Sequence, residues 1–163
     1  MTAPDTGALV DVEEVRRAAD RLGGRIHRTP VLRSTGLGAL WGVRLDQKAE
    51  LFQRTGSFKA RGALNKVLSL SPDERAHGVI TVSAGNAGAA VAYAAAGVGV
   101  PGTVVMPATA VPAKVAATRA YGAQVVQTDG DLLECYLATQ ESTGRVPVHP
   151  FDDRDVVAGQ GTV

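Results

Sequence analysis

The chain has 163 residues, 45% of them hydrophobic and 20% charged, with a net charge of +1. That is the length of one domain, or one domain and part of another, with the balance of an ordinary packed core. The charge leaves no basic stripe for nucleic acid and no polybasic patch for a membrane surface, and aromatics at 4% leave no base-stacking face.

The N-terminal "MTAPDTGALVDVEE" has no basic leader and no apolar stretch, so it does not read as a secretory signal, and cytosol is the default compartment. "VDVEEVRRAADRLGG" predicts a helix. Asp11 and Glu14 form a D-x-x-E capping box, and Gly23 and Gly24 stop the helix. "IHRTPVLRS" is extended around Pro30, and "VRLDQKAEL" (43–51) alternates weakly, as a strand does. Ser57 is placed to cap a helix running to about Leu70. From there strands and helices alternate: strand 78–83, Ala-rich helix 86–97, strand 102–107, helix 111–122, strand 123–128, helix 131–144, strand 146–150, and a last helix opening in "DRDVVAGQGTV". Pro112 sits in the first turn of the 111–122 helix and Gly122 at its end. This alternation predicts an α/β fold, an open parallel sheet with helices on both faces. The 87–100 stretch is too short and too glycine-rich to span a bilayer.

In such sheets ligands bind at the carboxyl ends of the strands, which directs attention to "SAGNAG". Ser83, Ala84, Gly85, Asn86 and Ala87 join the 78–83 strand to its helix. Small residues let a ligand approach the backbone, and the helix start presents free amides to a carboxylate or phosphate. A plain β–α turn capped by Asn86 explains the same residues equally well. Lys59 is the second anomaly. In the first turn of a helix its ammonium meets the positive end of the dipole, which favours the neutral amine, a nucleophile suited to carbonyl cofactors. A solvated surface lysine is the ordinary alternative. "GVGVPG" (97–102) fits G-x-G-x-x-G but precedes a strand, the wrong order for a dinucleotide site. Cys135, the sole cysteine, excludes an internal disulfide and a CxxC site and reads as a buried structural thiol, while His27, His77 and His149 show no metal-ligand spacing.

Four stretches in order, "ELFQRTGSFKARGALN", "SAGNAGAAVAYAA", "VVMPATAVPAKVAATRAYGAQVV" and "HPFDDRDVVAGQGTV", resemble the fold-type-II pyridoxal-phosphate enzymes, on the serine/threonine dehydratase and serine racemase branch. The resemblance runs from about His27 to Val163. It implies pyridoxal 5'-phosphate as cofactor and Lys59 as the lysine that binds it and then takes the substrate Cα proton. It also implies Phe58 beside the cofactor ring and Asn86 on the ring hydroxyl. Ser83, Asn86 and the loop amides of Ala84 to Ala87 would hold the substrate carboxylate. No metal ligand is implied within the chain. A β-hydroxy amino acid such as L-threonine or L-serine would give a 2-oxo acid and ammonia.

The residue after Lys59 is Ala60, where the family's threonine and cysteine synthases usually carry Asp. Ala84 stands where eukaryotic-type racemases have a serine. Both choices, and Phe151, favour elimination over racemisation. The branch usually has His where this chain has Ala87, which keeps other β-eliminations or replacements open, and racemase activity stands beside them as an alternative. A catalytically silent α/β binding module is the reading from another class.

The resemblance also implies a domain plan: residues 1–70 as the leading part of a large domain, 71–150 as a small α/β domain, and 151–163 as the return to the large one. The family's phosphate-binding loop and cation site lie in a second half. The chain therefore resembles a first half, expected to be inactive by itself and to expose apolar surface near its N-terminal segment and residues 153–163. The full-length form is expected to be a homodimer acting on a small amino acid.

Overall fold

The computed structural model describes residues 9–163. The first part of the N-terminal stretch read above for a targeting signal lies outside the described residues. The first helix, α1 (Val12–Leu22), begins at Asp11, with both bonds of the capping box formed at 2.8 Å. Strand β1 (Val31–Arg33) pairs antiparallel with β2 (Asp46–Lys48), and α2 (Thr35–Trp41) lies between them. Two predictions change here. The strand expected over 43–51 is confined to β2, and a 3₁₀ turn takes Glu50–Phe52. Helix α2 has no strong signal in "TGLGALW", because two glycines depress its helix propensity. It forms where Gly38 is buried, and a Cβ there would come within 2.7 Å of the Val43 carbonyl.

Helix α3 (Lys59–Ser69) follows a second 3₁₀ turn, Arg54–Gly56. The short α4 (Pro72–His77) is started by a Ser71–Glu74 capping box with Pro72 at its first turn. Then come β3 (Val79–Val82), α5 (Asn86–Val98), β4 (Gly102–Pro107), α6 (Pro112–Ala120), β5 (Gln124–Thr128), α7 (Leu132–Thr143), β6 (Val146–Pro147) and α8 (Arg154–Gln160). The strands β3 to β6 form a parallel sheet in the order β5-β4-β3-β6. Right-handed crossovers place α5 and α6 on one face. The return from β5 to β6 runs the other way and carries α7 over the opposite face, against β3 and β4. Cys135, on α7, is only partly buried. Among the described residues no helix is long and apolar enough to cross a membrane.

The strand order reverses between β3 and β6. In open α/β sheets the ligand crevice opens at that point, beyond the carboxyl ends of the two strands. Pairing continues past β6: the Val148 amide donates to the Ile80 carbonyl at 2.8 Å, and the Thr81 hydroxyl to the Val148 carbonyl at 2.8 Å. These bonds carry the chain along the mouth of the crevice before α8 begins.

Helix α3 is the hub. Ala60, Ala63, Leu64 and Val67 are buried among α1, α5 and α8, with Leu22, Val91, Val148 and Val156 in the same core. Contact with α8 is backbone-close. A Cβ on Gly159 would lie 2.7 Å from the Arg61 carbonyl oxygen and 2.8 Å from the Gly62 Cα. Gly159→Ala should therefore push α8 off α3, at a cost of about 1–3 kcal/mol. A urea-unfolding midpoint equal to the parent's would refute this close fit. Large apolar side chains remain exposed at Val31, Leu40, Trp41, Leu51 and Phe52 around the N-terminal segment, and at Val157 and Val163 near the end of the chain.

Candidate active site

Lys59 is the first residue of α3, and the approach to it is contorted. Thr55 has φ +62° and Gly56 φ +71°. The left-handed region suits glycine but is uncommon for a residue with Thr's branched side chain, a local strain of the kind that gathers at functional sites. Ser57 follows in an extended conformation with φ −160°, and Phe58, not Ser57, holds the N-cap position. The expected Ser57 cap does not form. One residue intervenes before the helix, and the Ser57 hydroxyl is buried without a hydrogen-bond partner, as is that of Thr55. Buried hydroxyls without partners cost stability, so the turn before Lys59 carries local cost as well as strain.

The Lys59 amine lies partly buried, and burial holds its pKa below the ordinary lysine value. No charged neighbour contributes to that shift. Its Nζ donates to the Pro150 carbonyl at 2.6 Å and lies 5.1 Å from the centre of the Phe58 ring. The amine lines a narrow cleft together with Ala63, Ala87, His149, Pro150 and Gln160. Ala87 comes from the start of α5 and the last three from the segment after β6, so this cleft is the crevice between β3 and β6 that the topology requires.

The turn from β3 to α5 is tied internally: the Gly85 amide donates to the Ser83 hydroxyl at 3.1 Å. Gly85 occupies the N-cap position of α5, and no side chain caps this helix. The capping role open to Asn86 is therefore not taken. Asn86 is exposed, and the first-turn amides of Asn86, Ala87 and Gly88 have no intrahelical acceptor. Gly88 serves packing: a Cβ there would stand 2.5 Å from the Ser83 carbonyl oxygen and 3.0 Å from Val104. Of the loop residues singled out in the sequence, Ala87 joins Lys59 in the cleft. Ser83, Ala84, Gly85 and Asn86 form the turn beside it, and Phe58 sits next to the lysine.

Two groups escaped the sequence reading, the Pro150 carbonyl and Gln160. The rule that led to the turn after β3 applies equally to the segment after β6, and it could have found them. Among the described residues no group of three or more His, Cys, Asp or Glu is placed to hold a metal ion.

A partly buried amine that shares its cleft with the uncapped start of a helix fits the aldehyde end of pyridoxal phosphate. The phosphate end is not matched in the same way. The positive-φ glycines beyond the loop, Gly99, Gly122 and Gly144, each stand at the C-terminal end of a helix, not side by side in an anion nest.

Comparison with known proteins identifies the family. The family model for pyridoxal-phosphate dependent enzymes matches residues 22–163. A serine racemase of Oryza sativa subsp. indica is 40% identical over 99% of this chain and 48% of its own length. An L-threonine ammonia-lyase of Thermotoga maritima is 44% identical over 95% of this chain and 39% of its own length. The structure of maize serine racemase superposes with a TM-score of 0.91 at 37% identity, over 95% of this chain and 48% of the other. The chain thus spans about half the length of the relatives it matches or less, and it belongs to the pyridoxal-phosphate-dependent enzymes, in the fold-type-II group that includes serine racemases and threonine ammonia-lyases.

Proposed function

We propose that this chain carries the cofactor lysine and the substrate-carboxylate loop of a pyridoxal-phosphate-dependent ammonia-lyase that converts L-threonine or L-serine to a 2-oxo acid and ammonia. The observation that carries the reading is the shared cleft. The Lys59 amine, drawn toward its neutral form by burial, lines it together with Ala87 at the uncapped start of α5.

When bound, the cofactor supplies a sink for the electrons left at the substrate Cα. Lys59 anchors the cofactor and, as a free amine, takes the Cα proton. Ser83 and the amides of Ala84 to Ala87 hold the substrate carboxylate at the helix start, where the dipole favours an anion. The exposed Asn86 side-chain amide would be available for the ring hydroxyl, and Phe58 would pack beside the ring. Ala84 has no proton to give or take on the far side of Cα, which favours elimination over racemisation.

We assign 1–70 to a large domain, 71–150 to a small one and 151–163 to the return. The packing of α8 on α3 and α1 supports this plan. The full-length protein is proposed to be a homodimer. A second reading, another β-elimination, is favoured by Ala87, which leaves a methyl group in the cleft where the branch usually has an imidazole. A panel of β-substituted amino acids would separate it from the first.

Borohydride reduction in the presence of pyridoxal phosphate, with the adduct mapped by mass spectrometry, tests the core of the proposal. A polypeptide of the relatives' full length should trap cofactor on Lys59 at close to one equivalent per chain. The 163 residues alone, whose described residues offer no matching nest for the phosphate, should trap far less. Adduct spread evenly over the lysines of the longer polypeptide would leave the silent binding module as the better account.

A further inference from the structure

Two donors converge on one backbone oxygen in the cleft. Lys59 Nζ reaches the Pro150 carbonyl at 2.6 Å, and Gln160 Nε2 reaches the same atom at 3.2 Å. A carbonyl has two lone pairs, so both bonds can be held at once. They are unequal, because the ammonium makes the shorter, charge-assisted bond. Gln160 is not free to wander. Its Cγ lies 2.9 Å from where a Cβ on Gly62 would stand, so the side-chain stem lies against α3 one turn beyond Lys59.

We propose that the Pro150 carbonyl is the resting acceptor of the Lys59 ammonium, and that Gln160 is a positioning residue which keeps this carbonyl satisfied when the amine leaves it. The inference rests on the reading of Lys59 as the cofactor lysine. To react, the amine must give up both a proton and its bond to Pro150. A partly buried carbonyl stripped of its donors costs free energy. With Gln160 in place that cost is averted and the amine departs readily. Without Gln160 the carbonyl depends on the ammonium alone, and the charged, unreactive form is favoured.

Other groups around the lysine do not take this role. His149, which shares the cleft, has its Nδ1 engaged by the Asp152 amide at 2.8 Å and the Phe151 amide at 3.4 Å. On α8, Arg154 is bonded to Glu14, and Asp155 to Ser69 and Lys66. On α1, Arg21 is bonded to Asn65. On α5 the one titratable group is Tyr93, bonded to the Arg25 carbonyl. Arg54, on the preceding turn, is exposed.

The test needs no cofactor. The 163-residue chain is acetylated with trace acetic anhydride across a pH series, and the labelling of each lysine is read by mass spectrometry, with exposed Lys114 as internal reference. Gln160→Met keeps the volume and removes the donor. It should slow Lys59 labelling about two- to tenfold below the titration midpoint and move that midpoint upward, the range given by one hydrogen bond's net worth. Gln160→Glu, which adds a carboxylate beside the ammonium, should move it further in the same direction. Lys114 should not change in either.

If Gln160→Met fails to fold, Gln160→Glu carries the decision. A Lys59 midpoint that stays at the parent value in a folded variant overturns the role of Gln160. Cofactor trapping on the unaltered full-length protein is scored separately. Its failure would remove the cofactor reading and leave the acetylation result standing, whereas an unmoved midpoint alone would leave the cofactor reading intact.

Discussion

Lys59→Ala is expected to lower kcat/KM for the proposed elimination by at least about 10²–10⁴-fold, the span usual for loss of a positioned general base. The measurement belongs in a polypeptide of the relatives' full length. If Lys59 also anchors the cofactor, as proposed, loss of that anchor should add to that figure. Folding should be nearly unaffected. Lys59 is not part of the apolar core, and its departure leaves the Pro150 carbonyl still bonded to Gln160. Lys59→Arg separates charge from proton transfer. It preserves the cation next to Phe58, but a guanidinium does not deprotonate in proteins, so it can serve neither as nucleophile nor as base. Both variants should therefore fail alike. Activity within tenfold of the parent in either one would show that Lys59 is not the reacting amine.

The β–α alternation was legible because each local signal agreed with the tertiary outcome. Val79–Val82 and Gly102–Pro107 are runs of β-branched and apolar residues bounded by turns, and the helices between them start and stop at Pro112, Gly99 and Gly144. Lys59 stood out because a cation at a helix start conflicts with the dipole, and such conflicts tend to mark functional sites. What stayed hidden depends on distant neighbours. Nothing in "RTGS" announces that Thr55 takes a positive φ, or that the Ser57 hydroxyl is buried without a partner instead of capping α3. The Pro150 carbonyl is a backbone atom whose role comes from α3 and α8 meeting over it, 91 residues and 10 residues away in the chain. Helix α2, with two glycines in seven residues, is held by burial of Gly38 and by tertiary context, not by propensity.

The same helix that presents Lys59 is anchored two residues later by an ion pair, and breaking that pair should cost much stability. Arg61 grips Glu50 with two bonds, Nε to Oε2 and Nη2 to Oε1, each 2.8 Å. Their side chains are only 5% and 11% exposed. The Thr29 hydroxyl completes Oε1 at 2.5 Å, and Arg61 Nη1 reaches the Thr162 carbonyl at 3.2 Å. The network ties the turn before Lys59, helix α3 and the end of the chain together. Glu50→Ala would strand the guanidinium in a nearly dry site, at a cost of about 3–5 kcal/mol. In a chain of this size that is a fall in Tm of roughly 6–20 °C. Glu50→Met with Arg61→Met removes both charges and should recover much of the loss, since no unpaired ion remains.

The pH dependence follows from the same contact. The Arg61 hydrogen bonds hold the Glu50 carboxyl below its ordinary value of 4.5, against the opposing effect of burial. The unfolded chain then binds the proton more readily than the folded one. The pair's contribution is accordingly full above the unfolded value and is lost as pH falls through the folded value beneath it. Glu14 and Asp46, whose carboxyls are also held low by arginine, give the parent further acid sensitivity that the variants keep. Glu50→Gln should therefore be less stable than the parent at neutral pH, and the gap should narrow once the pH drops well below 4.5. A gap that stays constant from neutral pH to pH 3 would mean that the Glu50 carboxyl titrates alike in the folded and unfolded chain, so that Arg61 does not hold it below its ordinary value.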